Sequence, residues 1–177
     1  ADPVFDAIRA ADARVGGIGY RLASANASLC DRQEPGLGLV LHTPEQYARE
    51  QRAAAIRFFR FDGPVGVEAV IAGSPAAVAG IRADDALLGI GTARFAPADL
   101  TAPADTDRLL RVSAQLAALP PARPVEVRGR RDAAPFVRTL QPVPACRSRF
   151  EVSIDDTFTA RADGEMVQIG SAFLRNC

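Results

Sequence analysis

The sequence predicts an α+β chain, and three features carry that reading. Segments with the 3.6-residue period of amphipathic helices alternate with short apolar or alternating runs of strand length. Glycine and proline punctuate nearly every junction between them. One pair of runs, Pro124 to Arg128 and Phe136 to Leu140, alternates apolar with polar on both sides of a turn near Arg130-Arg131-Asp132, as an antiparallel hairpin does. Bulk composition agrees. A chain of 177 residues that is 48% hydrophobic suits one globular domain with an appendage and excludes a disordered, collagenous or coiled-coil chain.

The first element expected is a helix over Val4 to Cys30, where Phe5, Ile8, Val15, Ile18, Leu22, Ala25 and Leu29 recur at helical spacing. Gly16, Gly17 and Gly19 each weaken its middle by about 1 kcal/mol relative to Ala, which predicts a bend or break there. A glycine turn, Gly36-Leu37-Gly38, then leads into a short apolar strand. Thr43 reads as a helix cap, with Pro44 at the first helical position and Gln46 three residues on. The helix that follows, Pro44 to about Ile56, puts Tyr47, Ala54 and Phe58 on its apolar face and Arg49, Glu50 and Arg52 toward water.

Val65 to Ile71 is the next strand. Ser74 caps a short helix that begins at Pro75 and stops at Gly80. Ala86 to Ile90 is a strand, and 96–107 is a loop rich in Pro, Ala and Asp. A helix from Arg108 to Leu119 aligns Leu109, Val112, Leu116 and Leu119 before Pro120-Pro121 ends it. After the hairpin, Phe150 to Ile154 and Glu165 to Ile169 read as strands on either side of a polar turn, and no repeat occurs at any fixed period.

Charge and composition narrow the chemistry. Twenty-one basic residues balance twenty-one acidic ones, so no global field draws the chain to nucleic acid or an anionic membrane. All the basic residues are Arg, which predicts mostly a solvated surface. With one histidine, His42, neither a two-His zinc site nor a triad has its parts: His42 sits in Val40-Leu41-His42-Thr43-Pro44 with no neighbouring Ser or Cys. It reads first as a strand-end histidine before a turn and second as a groove residue. No catalytic residue, metal or cofactor is therefore expected in these residues.

No stretch reaches the ~18 apolar residues of a membrane span. The start Ala1-Asp2-Pro3 suits a mature terminus with a leader or anchor removed. Three cysteines, Cys30, Cys146 and Cys177, allow three single pairings; Cys30 with Cys146 is the favoured candidate because the two flank the most structured segment.

Taken in order, the elements from Pro35 to Pro144 resemble a PDZ domain of the bacterial type found in HtrA-like and other envelope proteases. The resembling residues are Gly36-Leu37-Gly38-Leu39, similar to that family's carboxylate-binding loop, and the run Val67-Glu68-Ala69-Val70-Ile71-Ala72-Gly73-Ser74-Pro75-Ala76-Ala77-Val78-Ala79-Gly80-Ile81. Asp84 stands where the family usually has the Gly of a Gly-Asp pair. The resemblance implies a PDZ-like, partly open antiparallel barrel or sandwich with two flanking helices, to which this chain adds the inserted helix, the N-terminal helix and a C-terminal β-hairpin. It also implies a peptide-binding role without catalysis, in the periplasm or cell envelope, with peptide or protein C-termini or unfolded segments as partners.

Physics supports that role. Gly36 and Gly38 let successive N–H groups converge on an anion, and the strand Leu39 to His42 offers an edge for strand addition opposite the helix from Arg108. The expected site is Gly36, Leu37, Gly38, Leu39, Leu41, His42, Arg108, Leu109 and Val112, with Leu37, Leu39 and Leu109 forming its apolar pocket. Two other roles compete with peptide capture: a structural module whose groove is filled by the Val4 to Cys30 or Pro44 to Ile56 helix, and a piece of an enzyme.

The enzyme reading comes from the tail. Phe150-Glu151-Val152 and Phe158 to Leu174 resemble the opening strands of HtpX-like zinc metallopeptidases, with Thr159 and Arg161 at that family's Asn and aromatic positions. That resemblance implies a chain stopping at Cys177 before a zinc-bearing helix. The expected organisation is thus an N-terminal helical segment over 1–33, a PDZ-like unit over 34–144 and a C-terminal β segment over 145–177.

Overall fold

The computed structural model describes residues 2–155 and 158–176. Helix α1, Pro3–Ala25, opens with the Asp2 carboxylate accepting the Val4 N–H at 3.1 Å and Pro3 in the first turn. A 3-10 turn at Ala27–Leu29 ends the segment. The remaining elements are β1 Gln33–Gly36, β2 Leu39–His42, α2 Arg49–Phe58, β3 Val65–Val70, α3 Pro75–Val78, β4 Ala86–Ile90, β5 Ala93–Arg94, α4 Asp107–Ala117, β6 Val125–Arg131, β7 Ala134–Leu140, β8 Val143–Cys146, β9 Arg149–Ser153, β10 Ala160–Ala162, β11 Met166–Gly170 and α5 Ser171–Arg175. The α+β class follows directly.

Strands β2-β3-β4-β6-β7 form one antiparallel sheet in that order, with β5 folded onto β4. Its outer strands do not meet, so the barrel is open and β2 is an edge. Inside it, Leu37, Val65, Val67, Leu87, Ile90, Val112, Val127 and Leu140 form the main core. The expected hairpin is longer than the alternating runs alone: β6 and β7 are joined by Asp132 and Ala133, both at positive φ (49° and 64°). Two consecutive left-handed residues match the twist of paired strands.

The helix α1 is unbroken, against the expected bend. Its glycines are contact points: a Cβ on Gly16 would lie 2.7 Å from Val40 Cγ2, and one on Gly19 2.4 Å from the Phe150 ring. Burial against β2 and β9 offsets the weak helix propensity, as packing routinely does. The first turns of α1 meet α2 in a second core of Phe5, Ala55 and Phe59, edged by Ile8, Tyr47, Ala54, Phe58 and Phe61.

Two expectations about the inserted segment are corrected. Thr43 and Gln46 do form a capping box, but it closes only a 3-10 turn over Pro44–Gln46, and the chain extends at Tyr47 before α2 begins. Arg52 does not point to water; it is 3% exposed and donates to the carbonyls of Pro44 (3.1 Å), Tyr47 (3.0 Å), Leu100 (2.7 Å) and Ala102 (2.9 Å). A guanidinium offers five planar donors, and here they satisfy carbonyls that helical geometry leaves over. Arg131 likewise clamps the buried Asp85 carboxylate at 2.6 and 2.7 Å. Several arginines are therefore internal fasteners and not a solvated coat.

Asp84, in place of the family's Gly, keeps the turn by taking a positive φ of 68° and accepting Arg9 of α1 at 2.5 Å. Strand β8 pairs with β1 from Gln33↔Cys146 to Gly36↔Val143, and Cys30 is disulfide-bonded to Cys146. Cys177 lies outside the described residues. The expected C-terminal hairpin is corrected: its two strands, β9 and β11, pair in parallel from Arg149↔Met166 to Ser153↔Gly170, and the antiparallel partner of β11 is the unexpected strand β10, which completes a three-stranded sheet. Helix α1 packs on β3, β8 and β9, so elements of all three expected segments touch.

Candidate functional site

The Leu37-Gly38 turn between β1 and β2 is fixed from behind. Ile71 N–H donates to the Gly38 carbonyl at 2.9 Å and Ala76 N–H to the Leu37 carbonyl at 3.0 Å. Gly38 has φ +73° and sits so close to the start of α3 that a Cβ would fall 2.1 Å from Ser74 Cβ. Only glycine fits there, on both backbone and steric grounds. Ser74 in turn accepts the Ala77 N–H at 3.3 Å and caps α3. With both carbonyls engaged, the N–H groups of Leu37 and Gly38 have no hydrogen-bond partner among the described residues. Two adjacent free donors at a tight turn form a concavity for an anion.

Beside this turn a cleft of about 340 Å³ runs between β2 and α4. Leu37, Leu39 and Leu41 line one side. The other side comes from α4, where Leu109, Ser113 and Leu116, and Leu110, Ala114 and Ala117, recur at steps of four and three. A third wall, absent from the sequence expectation, is supplied by α1 and the start of the tail: Asp12 and Tyr20 from α1, with Arg149 and Phe150 from β9. Helix α1 borders the cleft without filling it, and α2 contributes no lining residue.

The structure separates the nine expected site residues. Gly36, Leu37, Gly38, Leu39, Leu41 and Leu109 lie along the cleft. Val112 turns the other way and is 3% exposed in the main core. Arg108 is drawn to the 96–107 loop, donating to Glu45 at 2.7 Å and to the carbonyls of Ala96 and Pro97 at 2.6 and 2.8 Å. His42 leaves the cleft altogether: its ring is buried against Phe59 and Phe61, at centroid distances of 4.6 and 4.3 Å, and its Nδ1 is hydrogen-bonded with the Tyr47 hydroxyl at 2.9 Å. A β-strand alternates its faces, so the residue after Leu41 necessarily faces away from it. Leu110, Ser113, Ala114, Leu116 and Ala117 were missed. Their signal was the helical period itself, which gives two candidate faces to α4 and does not say which one meets the core.

Under α1, on the far face of β2 and β3, lies a buried polar cluster. Asp12 of α1 and Glu68 of β3 share a hydrogen bond. Burial raises both carboxyls, Glu68 furthest, to about 8, aided by the negative charge of Asp12. Burial lowers His42 to about 3, and the nearby Arg9 adds to that. Near the cleft mouth, burial raises Glu34 while Arg147 and the Ser148 backbone oppose it. Among the described residues, no group of three or more His, Cys, Asp or Glu is placed to hold a metal ion. No described helix is long and apolar enough to cross a membrane.

An edge strand that follows a Leu-Gly turn with free donors, faced by a helix across an open cleft, is the arrangement expected of the central segment. The fold is PDZ-like. No family model matches the sequence, and no curated protein is significantly similar to it. Among solved structures, the HtrA-type protease AlgW with decapeptide is 20% identical with a TM-score of 0.46, over 63% of this chain and 30% of that one. The PDZ domain of HtrA3 bound to a phage-derived ligand is 11% identical with a TM-score of 0.45, over 64% of this chain and 89% of that one. The serine endoprotease from Yersinia pestis is 19% identical with a TM-score of 0.36, over 45% and 25% of the two chains. This chain thus spans less than a third of the length of either protease. These are partial likenesses of arrangement, and none bears on chemistry.

Proposed function

We propose that the chain is a peptide-binding PDZ-type module that captures a C-terminal or extended peptide as an added strand on β2. The observation that carries this reading is the pair of unpartnered N–H groups at Leu37 and Gly38, placed at the end of an edge strand and an apolar cleft. A terminal carboxylate supplies the anion those donors lack, the free edge of β2 supplies a ladder, and Leu37, Leu39 and Leu116 receive the last side chain. The unit 34–144 carries both main walls. Affinity for short peptides is modest, because ordering a free peptide offsets much of what one strand contributes.

The disulfide fits an oxidising compartment, which supports a periplasmic or cell-envelope setting and a place beside a protease there. The test is affinity for a labelled peptide ending in Leu, as free acid and as C-terminal amide. The free acid binds saturably and the amide at least about tenfold more weakly, since a charge-assisted hydrogen bond contributes about 1.5–3 kcal/mol. Equal affinities would refute carboxylate capture.

A further inference from the structure

Resting on the strand-addition reading, the third wall of the cleft has a consequence for what the ligand carries. Side chains of an added strand alternate in step with those of β2. On β2, Leu39 and Leu41 pack toward the core and α4, whereas Val40 points to α1, where it meets Gly16. A ligand's terminal side chain therefore enters the apolar cleft, and the one before it turns toward α1 and the start of the tail. In an open PDZ-like sheet that second side chain would meet water. Here it meets a wall.

That wall is acidic in balance. Asp12, Glu34, Glu151 and Glu165 line the cleft against Arg147 and Arg149. Glu165 is already engaged by Arg32, and Arg149 lies 3.8 Å from Glu151. Arg147 then faces Glu34, and Arg9, whose charge acts on Glu68 of the Asp12–Glu68 pair, is held by Asp84. Burial disfavours the charged form of both Asp12 and Glu34, and an incoming cation would reverse that.

We propose that the cleft reads its ligand on two faces: an apolar C-terminal residue between β2 and α4, and a cationic side chain, Arg or Lys, in the penultimate position against α1. Asp12 and Glu34 are the specificity-determining residues of the second face.

The experiment uses the full chain and four dye-labelled pentapeptides ending in Leu, identical except for Arg, Ala or Glu in the penultimate position, the fourth being the Arg peptide as its C-terminal amide. Fluorescence anisotropy gives the Kd of each. The Arg peptide binds about tenfold tighter than the Glu peptide, with Ala between, and the gap narrows at ~0.5 M salt. It shrinks in Asp12→Asn and in Glu34→Gln, each checked by circular dichroism, so that misfolding of one variant leaves the other decisive. Equal Kd values for Arg, Ala and Glu, with amidation still weakening binding, would overturn the second face and leave strand addition standing. Binding by none of the four would overturn both.

Discussion

Glu68, Asp12 and His42 show what burying titratable groups does at the level of single residues. The two carboxyls are raised, so their contribution to folding is complete at low pH and is lost as pH rises from the ordinary carboxylate range through about 8. His42 is lowered, so its contribution is complete above its ordinary value of 6.5 and is lost as pH falls through about 3. Thermal stability set by these three groups should therefore peak near the ordinary carboxylate values of 3.8 and 4.5 and decline above them, because two carboxyls lose their contribution over the range in which one histidine regains its own, and the loss above 6.5 is set by the acid pair. In Glu68→Gln, which keeps a hydrogen-bonding partner for Asp12 without the titration, Tm should fall much less between about pH 6.5 and 8. A wild-type slope in that variant would assign the alkaline loss elsewhere. None of this cluster was legible in the sequence. Asp12 and Glu68 are 56 positions apart, and nothing local marks which Asp on an amphipathic helix will face a strand.

At the scale of elements, local signals were legible wherever punctuation and periodicity agreed. Ser74-Pro75 started α3, Thr43 and Gln46 formed a capping box, and Ala86–Ile90 is a strand with the expected bounds. They misled where tertiary packing overrode propensity, above all in α1. Gly16, Gly17 and Gly19 look alike as helix breakers, yet the structure distinguishes them. A Cβ at Gly17 meets its nearest atoms at 3.7 Å, an ordinary contact, while one at Gly19 overlaps the Phe150 ring at 2.4 Å. Gly17→Ala should stabilise the protein by up to about 1 kcal/mol through helix propensity. Gly19→Ala should destabilise it by about 1–3 kcal/mol through overpacking against β9. Chemical denaturation of the two variants measures both, and a stabilised Gly19→Ala would mean that the tail sheet does not rest on α1.

Across the whole molecule, the expected central unit carries the two main walls of the cleft, and its flanks turn out to complete it. The sequence order from Pro35 to Pro144 was enough to place β2, the Leu37-Gly38 turn and α4. It could not place α1 and β9, because long-range packing of an amphipathic helix leaves no mark beyond its apolar period. The disulfide joins those parts covalently across 116 positions. In the chain-entropy view a loop of that size contributes about 4–5 kcal/mol. Replacing both Cys30 and Cys146 by Ser should lower unfolding free energy by about 2–5 kcal/mol, read by urea titration of wild type and variant under non-reducing conditions. An unchanged midpoint would show that the bridge does not form in solution.

The central claim is that Leu37 and Gly38 present free backbone donors to a peptide lying along β2. The most direct measurement is a two-dimensional amide NMR titration of the labelled chain with a Leu-terminated peptide acid. The expected result is large downfield shifts of the Leu37 and Gly38 amides, with changes along Leu39–His42 and the cleft face of α4, and little change at the separate hollow lined by Ile56, Phe61, Leu88 and Phe95. Saturable binding that leaves Leu37 and Gly38 unmoved, with shifts gathered at that hollow, would contradict the account.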